Sequence, residues 1–133
     1  MPTPAEEVLA LTRRLLDAVA AADWKTYKDL VADDITCFEP EAKGQLVEGL
    51  PFHKFYFDLA AAKSPGTAHL TTTLASPVVK MVGDNVAVVA YVRLVQKLDA
   101  SGSPVVSSGE ETRVWVRTPN GWKHVHFHRS VPG

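Results

Sequence analysis

Apolar residues recur at three- and four-residue steps near the start of the chain, at Val8, Leu11, Leu15, Val19 and Ala22, with Arg13, Arg14 and Asp17 off that stripe. That period predicts an amphipathic helix. Its start is marked twice. Thr3 with Glu6 three residues on makes a capping box, and Pro4 stands at the first helical position, where a missing N–H is harmless. The helix is expected to run to about residue 21. Asp23 is the expected N-cap of a second, short helix that buries Trp24, Tyr27 and Leu30 or Val31 and ends at Asp33-Asp34. Ile35 to Phe38 predicts a short strand stopped by Pro40, and Gln45 to Glu48 another before Gly49. A third helix starts at Pro51, carries Phe52, Phe55 and Tyr56 at helical spacing, and ends at the Ser64-Pro65-Gly66 break. Beyond it the period drops to two. Strands are expected near 68–76, 78–83, 86–98, 105–118 and 122–130, with turns at Gly83-Asp84-Asn85, Ala100-Ser101-Gly102-Ser103 and Pro119-Asn120-Gly121. Helices followed by an antiparallel meander predict an α+β fold, one sheet curled around the helices over a conical space. What lines the inner face of that space decides function.

The 133 residues suffice for one core, so a single domain over 1–133 is expected. Hydrophobic residues at 46% and charged ones at 22% suit a globular chain rather than a disordered one. A formal charge of -1 provides no field to draw the chain to nucleic acid or to an anionic membrane. The first residues lack a basic leader, and Arg13, Arg14 and Asp17 interrupt the first apolar stretch, so neither a signal peptide nor a membrane span is read and a cytoplasmic location is expected. The one cysteine, Cys37, rules out an intramolecular disulfide and, with no basic residue near it in sequence, reads as a buried inert thiol. No Walker A sequence or glycine-rich phosphate loop is present.

Strand alternation identifies the candidate chemistry. In strand 86–98, Val89, Tyr91, Arg93 and Val95 share a face, so Arg93 keeps apolar company. In strand 122–130, Val125, Phe127 and Arg129 share one face, and Trp122, His124, His126 and His128 the other. Arg113 lies in the intervening strand, so hairpin neighbours can bring three arginines together. A guanidinium cannot shed its proton to escape burial, so such a cluster requires an anion. That anion is either internal, with Glu110, Glu111 or Glu39 as counter-ion, or the carboxylate of a ligand. On the second reading, Arg113→Ala abolishes carboxylate binding and leaves the fold intact. Three imidazoles on one strand face resemble a zinc pattern, but they lie in a line with no acidic residue in the strand behind them, so no metal is assigned and the face reads as an interface. His53 on the aromatic third helix can face the cavity as a base or donor, or sit satisfied in the core. Tyr56 and Tyr91 carry the same alternatives, and Glu39 and Glu41 flank Pro40 at a spacing suited to acid/base work or to a solvated turn.

Phe38-Glu39-Pro40-Glu41-Ala42 with Gly44, Leu46-Val47-Glu48-Gly49 and Phe52-His53-Lys54-Phe55-Tyr56-Phe57 closely resemble the association (hub) domain of calcium/calmodulin-dependent protein kinase II. Ala90-Tyr91-Val92-Arg93-Leu94, Glu110-Glu111-Thr112-Arg113-Val114-Trp115, and Gly121-Trp122-Lys123 followed by Val125-His126-Phe127-His128-Arg129-Ser130 continue the resemblance in order. It implies the conical fold of the SnoaL-like and nuclear-transport-factor-2-like superfamily, and assembly with copies of itself as dimers stacked into closed rings. The family's cavity arginines match Arg93, Arg113 and Arg129, and its pocket histidine matches His53. With Tyr56 and Tyr91, these form the expected ligand-binding set for a small carboxylate or an acidic peptide end. No catalytic residue and no cofactor are assigned. No kinase domain or calmodulin-binding segment precedes the hub-like region, which implies a free-standing relative without kinase activity. The rival reading is a SnoaL-like enzyme of isomerase, dehydratase or cyclase type that uses the same cavity, with His53, Tyr56 and Glu39 as its possible actors.

Overall fold

A computed structural model describes residues 1–63 and 70–131. Helix α1 spans Pro4–Ala20, and both hydrogen bonds of its Thr3/Glu6 capping box are made. Its buried face is rotated from the expected stripe. Thr12 and Leu16 are fully buried beside Val8 and Leu15, while Leu11 and Val19 are half-buried. Thr12 can occupy the core because its hydroxyl donates to the Val8 carbonyl at 2.9 Å, which removes the cost of an unpaired polar group. Ala22 lies beyond the helix, in the left-handed region at φ 55°.

Helix α2 spans Trp24–Leu30, with Asp23 accepting from the Thr26 amide as its N-cap. Strand β1, Val31–Phe38, follows directly. Asp33 and Asp34 therefore lie inside a strand instead of closing the helix. Both are exposed, and the β1 register shifts across them, so a bulge carries two charges outward without disturbing Val31 and Ile35. After a 3-10 turn at Pro40–Ala42, β2 is only Val47–Glu48, shorter than the expected 45–48, and helix α3 spans Pro51–Lys63. The aromatic face of α3 also departs from expectation. His53 and Phe57, four residues apart, are the buried pair, whereas Phe55 is 61% exposed. Phe57 packs on Trp24 and Tyr27, which fixes which side of α3 faces inward.

The meander comprises β3 (Leu70–Val82), β4 (Val86–Leu98), β5 (Pro104–Thr118) and β6 (Gly121–Ser130). One strand, β3, replaces the two expected at 68–76 and 78–83. The register slips between Ala75 and Val78, where Ser76 has φ 51°, so Pro77 sits at a bulge and does not end the strand. The expected Ser64-Pro65-Gly66 break and the strand start at 68 lie outside the described residues. The sheet has six strands in the order β2-β1-β6-β5-β4-β3. It is antiparallel except where β1 runs parallel to β6. Helix α1 packs on β3 and β4, and α2 on β1 and β6, so the helices cover one face of the curved, unclosed sheet. Trp115, Ile35, Leu15 and Val89 are among the fully buried side chains between the two layers. Among the described residues, no helix is long and apolar enough to cross a membrane.

Candidate functional site

Cross-strand register builds the site. Val89, Arg113 and Phe127 lie opposite one another on β4, β5 and β6, and the next inward row is Tyr91, Glu111 and Arg129. Arg93 follows on β4, opposite Gly109. The three arginines therefore share the helix-covered face, as alternation predicts, with Glu111 in their midst.

Glu111 is the centre of the network. Its side chain is fully buried and accepts from Tyr91 Oη and, at 2.9 Å, from Arg113 Nη2, while its other oxygen accepts from Arg93 Nη1 at 3.1 Å. Arg113 Nε also donates to Tyr91 Oη at 2.7 Å, and the guanidinium lies 4.5 Å from the Phe127 ring centre. Burial opposes ionisation of Glu111, but Arg113 and Arg93 outweigh it and hold its carboxyl below the ordinary range. Burial likewise opposes the charge on Arg113, and Glu111 and Tyr91 overcome it. Burial pushes the Tyr91 hydroxyl up to about 12, so it stays a donor. Arg129 is bound separately, by Glu41. Thus two of the three arginines have the internal counter-ion Glu111, and the third has Glu41. Glu110, the other candidate on β5, is exposed and faces away.

A cavity of about 200 Å³ opens beside this network, lined by Tyr27, His53, Tyr56, Phe57, Glu39 and Glu41, together with Val19, Phe127 and the three arginines. Tyr56 sits at the lining, 38% exposed. Tyr91 is a tethered hydroxyl and does not line the cavity. His53 is buried, and burial and then Arg113 lower its pKa to about 4, so the ring is neutral at pH 7. Its Nε2 lies 3.8 Å from Cys37 Sγ. The thiol is pushed up to about 12, by burial first and Glu39 second. Glu39 has its own pKa raised by burial and by Glu41, and its carboxylate has no hydrogen-bond or ion-pair partner among the described residues.

The three-histidine face does not form. Val114 pairs with His126 and Trp115 with His124, which leaves Val125 as a bulge on β6. The extra residue flips the phase, so Trp122 and His124 point inward with Phe127, while His126 and His128 remain on the other face. His124 is fully buried, and Arg113 Nη1 donates to its Nε2 at 3.4 Å. Burial and Arg113 lower its pKa well below the ordinary value. No spacing in the sequence announces the bulge, so His124 was unforeseeable as a site neighbour. Glu41 as the partner of Arg129 and the Cys37–His53 contact were equally hidden, since the first depends on β1 lying beside β6 and the second on α3 folding back onto β1.

The profile of the calcium/calmodulin dependent protein kinase II association domain family matches residues 4–133. The chain belongs to that family. Association-domain relatives include the calcium/calmodulin-dependent protein kinase type II subunit delta of Oryctolagus cuniculus, 44% identical over 125 residues. The match covers 94% of this chain but 23% of that protein, so the chain spans about a quarter of its curated relative. The Chlamydomonas reinhardtii hub homology domain superposes with a TM-score of 0.91 at 50% identity, covering 98% of this association domain and all of that one. A nuclear transport factor 2-like protein of Salmonella enterica has a TM-score of 0.72 at 23% identity, over 97% of this chain and 91% of that one, which establishes the wider fold.

The network predicts unequal costs for its arginines. Arg113→Ala leaves Glu111 buried with one remaining cation and, because the arginines are paired internally, is expected to destabilise the fold by about 3–5 kcal/mol in a denaturant titration. Arg129→Ala removes a partly exposed pair and should cost about 1 kcal/mol or less by the same denaturant titration. His53 predicts a pH dependence. Its folded pKa of about 4 lies below the ordinary 6.5, so between these values the unfolded chain binds the extra proton and stability rises with pH. Unfolding midpoints at fixed chain concentration should fall from pH 7 to pH 4.5, and fall less in His53→Gln.

Proposed function

We propose that this association-domain chain is a self-assembling, non-catalytic hub whose cavity binds a small carboxylate. The observation that carries self-assembly is the sheet face opposite the helices. Cross-strand rows there read Val82, Val86, Val116 and Lys80, Val88, Val114, His126, then Val78, Ala90, Thr112, His128. Val78 and Val82 are more than half exposed. A contiguous apolar face that the chain's own helices do not cover suits an isologous contact with a second copy. His126 and His128 lie on this face, in keeping with a histidine interface. Stacking of dimers into a closed ring belongs to the same proposal.

Support for the anion pocket is the convergence of Arg93, Arg113 and Arg129 on one small cavity. The Arg129–Glu41 pair lies at the open side, where a ligand carboxylate can exchange for Glu41 and take a bidentate contact. Glu111 holds Arg113 and Arg93 in place, and neutral His53 can donate or accept to orient the ligand. The cavity is below the usual size for drug-like ligands, which favours an acid of a few heavy atoms. Acid/base chemistry has weaker support, because Glu41 is taken up by Arg129 and Glu39, although near His53, makes no hydrogen bond to it.

Native mass spectrometry should find a closed ring of about ten or more subunits. Val88→Glu should break it into smaller species with an unchanged far-ultraviolet circular dichroism spectrum, and a wild-type monomer would overturn the hub reading. Acetate, butyrate or succinate at millimolar concentration should raise Tm in the wild type and not in Arg129→Ala. Indifference of the wild-type Tm to all three would assign the arginines to internal pairing alone.

A further inference from the structure

Glu39 and His53 line one wall of the cavity, and the fully buried Cys37 lies against His53. Their ligand atoms, Sγ, a carboxylate oxygen and a ring nitrogen, all lie within 4.8 Å of one another, and Sγ is 3.8 Å from His53 Nε2. Two residues come from β1 and its exit, at alternate positions that put both side chains on the same side, and the third from the buried face of α3. We propose that these three side chains form a zinc site, with the fourth position open to the cavity. This inference goes beyond the hub reading and does not depend on it.

The geometry is close to what the ion requires. Tetrahedral zinc with Zn–S near 2.3 Å and Zn–N near 2.0 Å separates sulfur from nitrogen by about 3.5 Å. The Cys37–His53 spacing lies within a few tenths of an ångström of that value. Glu39 closes the remainder by rotating its side chain, and it is free to do so. It is half-buried, it accepts from no donor among the described residues, and Arg129 is bound by Glu41 instead. A buried thiol, a neutral imidazole and a partnerless carboxylate make a donor set that one divalent ion satisfies at once. Burial keeps His53 deprotonated and so ready to coordinate.

Charge also permits the ion. Arg113 is the cation that acts most on His53, and its charge is taken up by Glu111 at 2.9 Å. A thiolate and a carboxylate then balance the two charges of zinc. On binding, the Cys37 S–H bond breaks, its proton leaves to solvent, and the sulfur lone pair forms the bond to the metal. The cavity side supplies the fourth ligand, a water or the oxygen of a bound acid.

The test uses the whole chain after treatment with a chelator. Because Cys37 is the one cysteine in the sequence, a sulfur-to-cobalt charge-transfer band on adding Co²⁺ has a single possible origin. The expected result is that band, displaced by one equivalent of Zn²⁺ per chain, and zinc affinity reduced at least about 10-fold in Cys37→Ser. No band, or zinc held equally well by Cys37→Ser, would overturn the site and direct the ion to His126 and His128 on the opposite sheet face. Should Cys37→Ser fail to fold, the wild-type cobalt spectrum decides alone. Arg129→Ala separates the two ligand readings, since it should lose the carboxylate response and keep the metal.

Discussion

A single buried carboxylate governs the inner face of this sheet. Glu111 is in contact with two guanidiniums and a phenol, and without it Arg113 would be an uncompensated charge at the centre of the fold. The positions of Tyr91, Arg93 and Arg113 relative to one another follow from its two oxygens. Phe127 completes the arrangement by offering its ring to the same guanidinium. The charged cluster therefore behaves as a rigid floor, and the cavity above it acquires its shape from groups that cannot relax independently.

Rigidity at the floor contrasts with looser pairing at the rim. Arg129 and Glu41 are each partly exposed, and Glu39 has no partner among the described residues. In a low-dielectric pocket, the groups without fixed partners are the ones a ligand or ion can recruit at least cost, because no existing bond must be broken first. Structural charge and recruitable charge thus occupy different depths of one cavity.

The hydrophobic period and the turn residues made most of the elements legible: α1 with its capping box, α2 with Asp23, and the long strands of the meander. The inner-face arginines were legible too, since alternation along β4 and β5 is uninterrupted from Val89 to Arg93 and from Glu111 to Trp115. On the helices the miss was rotational, with Thr12 and Leu16 on α1 and His53 and Phe57 on α3 taking the buried positions, and in the sheet it came from irregular register. At Ser76-Pro77 and at Val125 one extra residue changes the phase without changing composition, and at Asp33-Asp34 β1 runs five residues while β6 runs two. His124 was assigned to the wrong face for that reason, and β3 was divided in two. Contacts across β1 and β6, among them Arg129 with Glu41, were invisible for a different reason: nothing local specifies which distant strand becomes a neighbour.

That parallel pairing of β1 with β6 has a kinetic consequence. Thr36 and His126 are hydrogen-bonded at 2.7 Å across 90 residues of sequence. The four strands of the meander can zip one hairpin at a time, but joining β1 to them closes a loop of most of the chain, with the entropy that entails. Because Cys37, Glu39 and Glu41 arrive only with that closure, the cavity does not exist in any partly folded chain that lacks it. A molecule captured there reports completed folding, and its binding energy favours the closed loop over every form that lacks it.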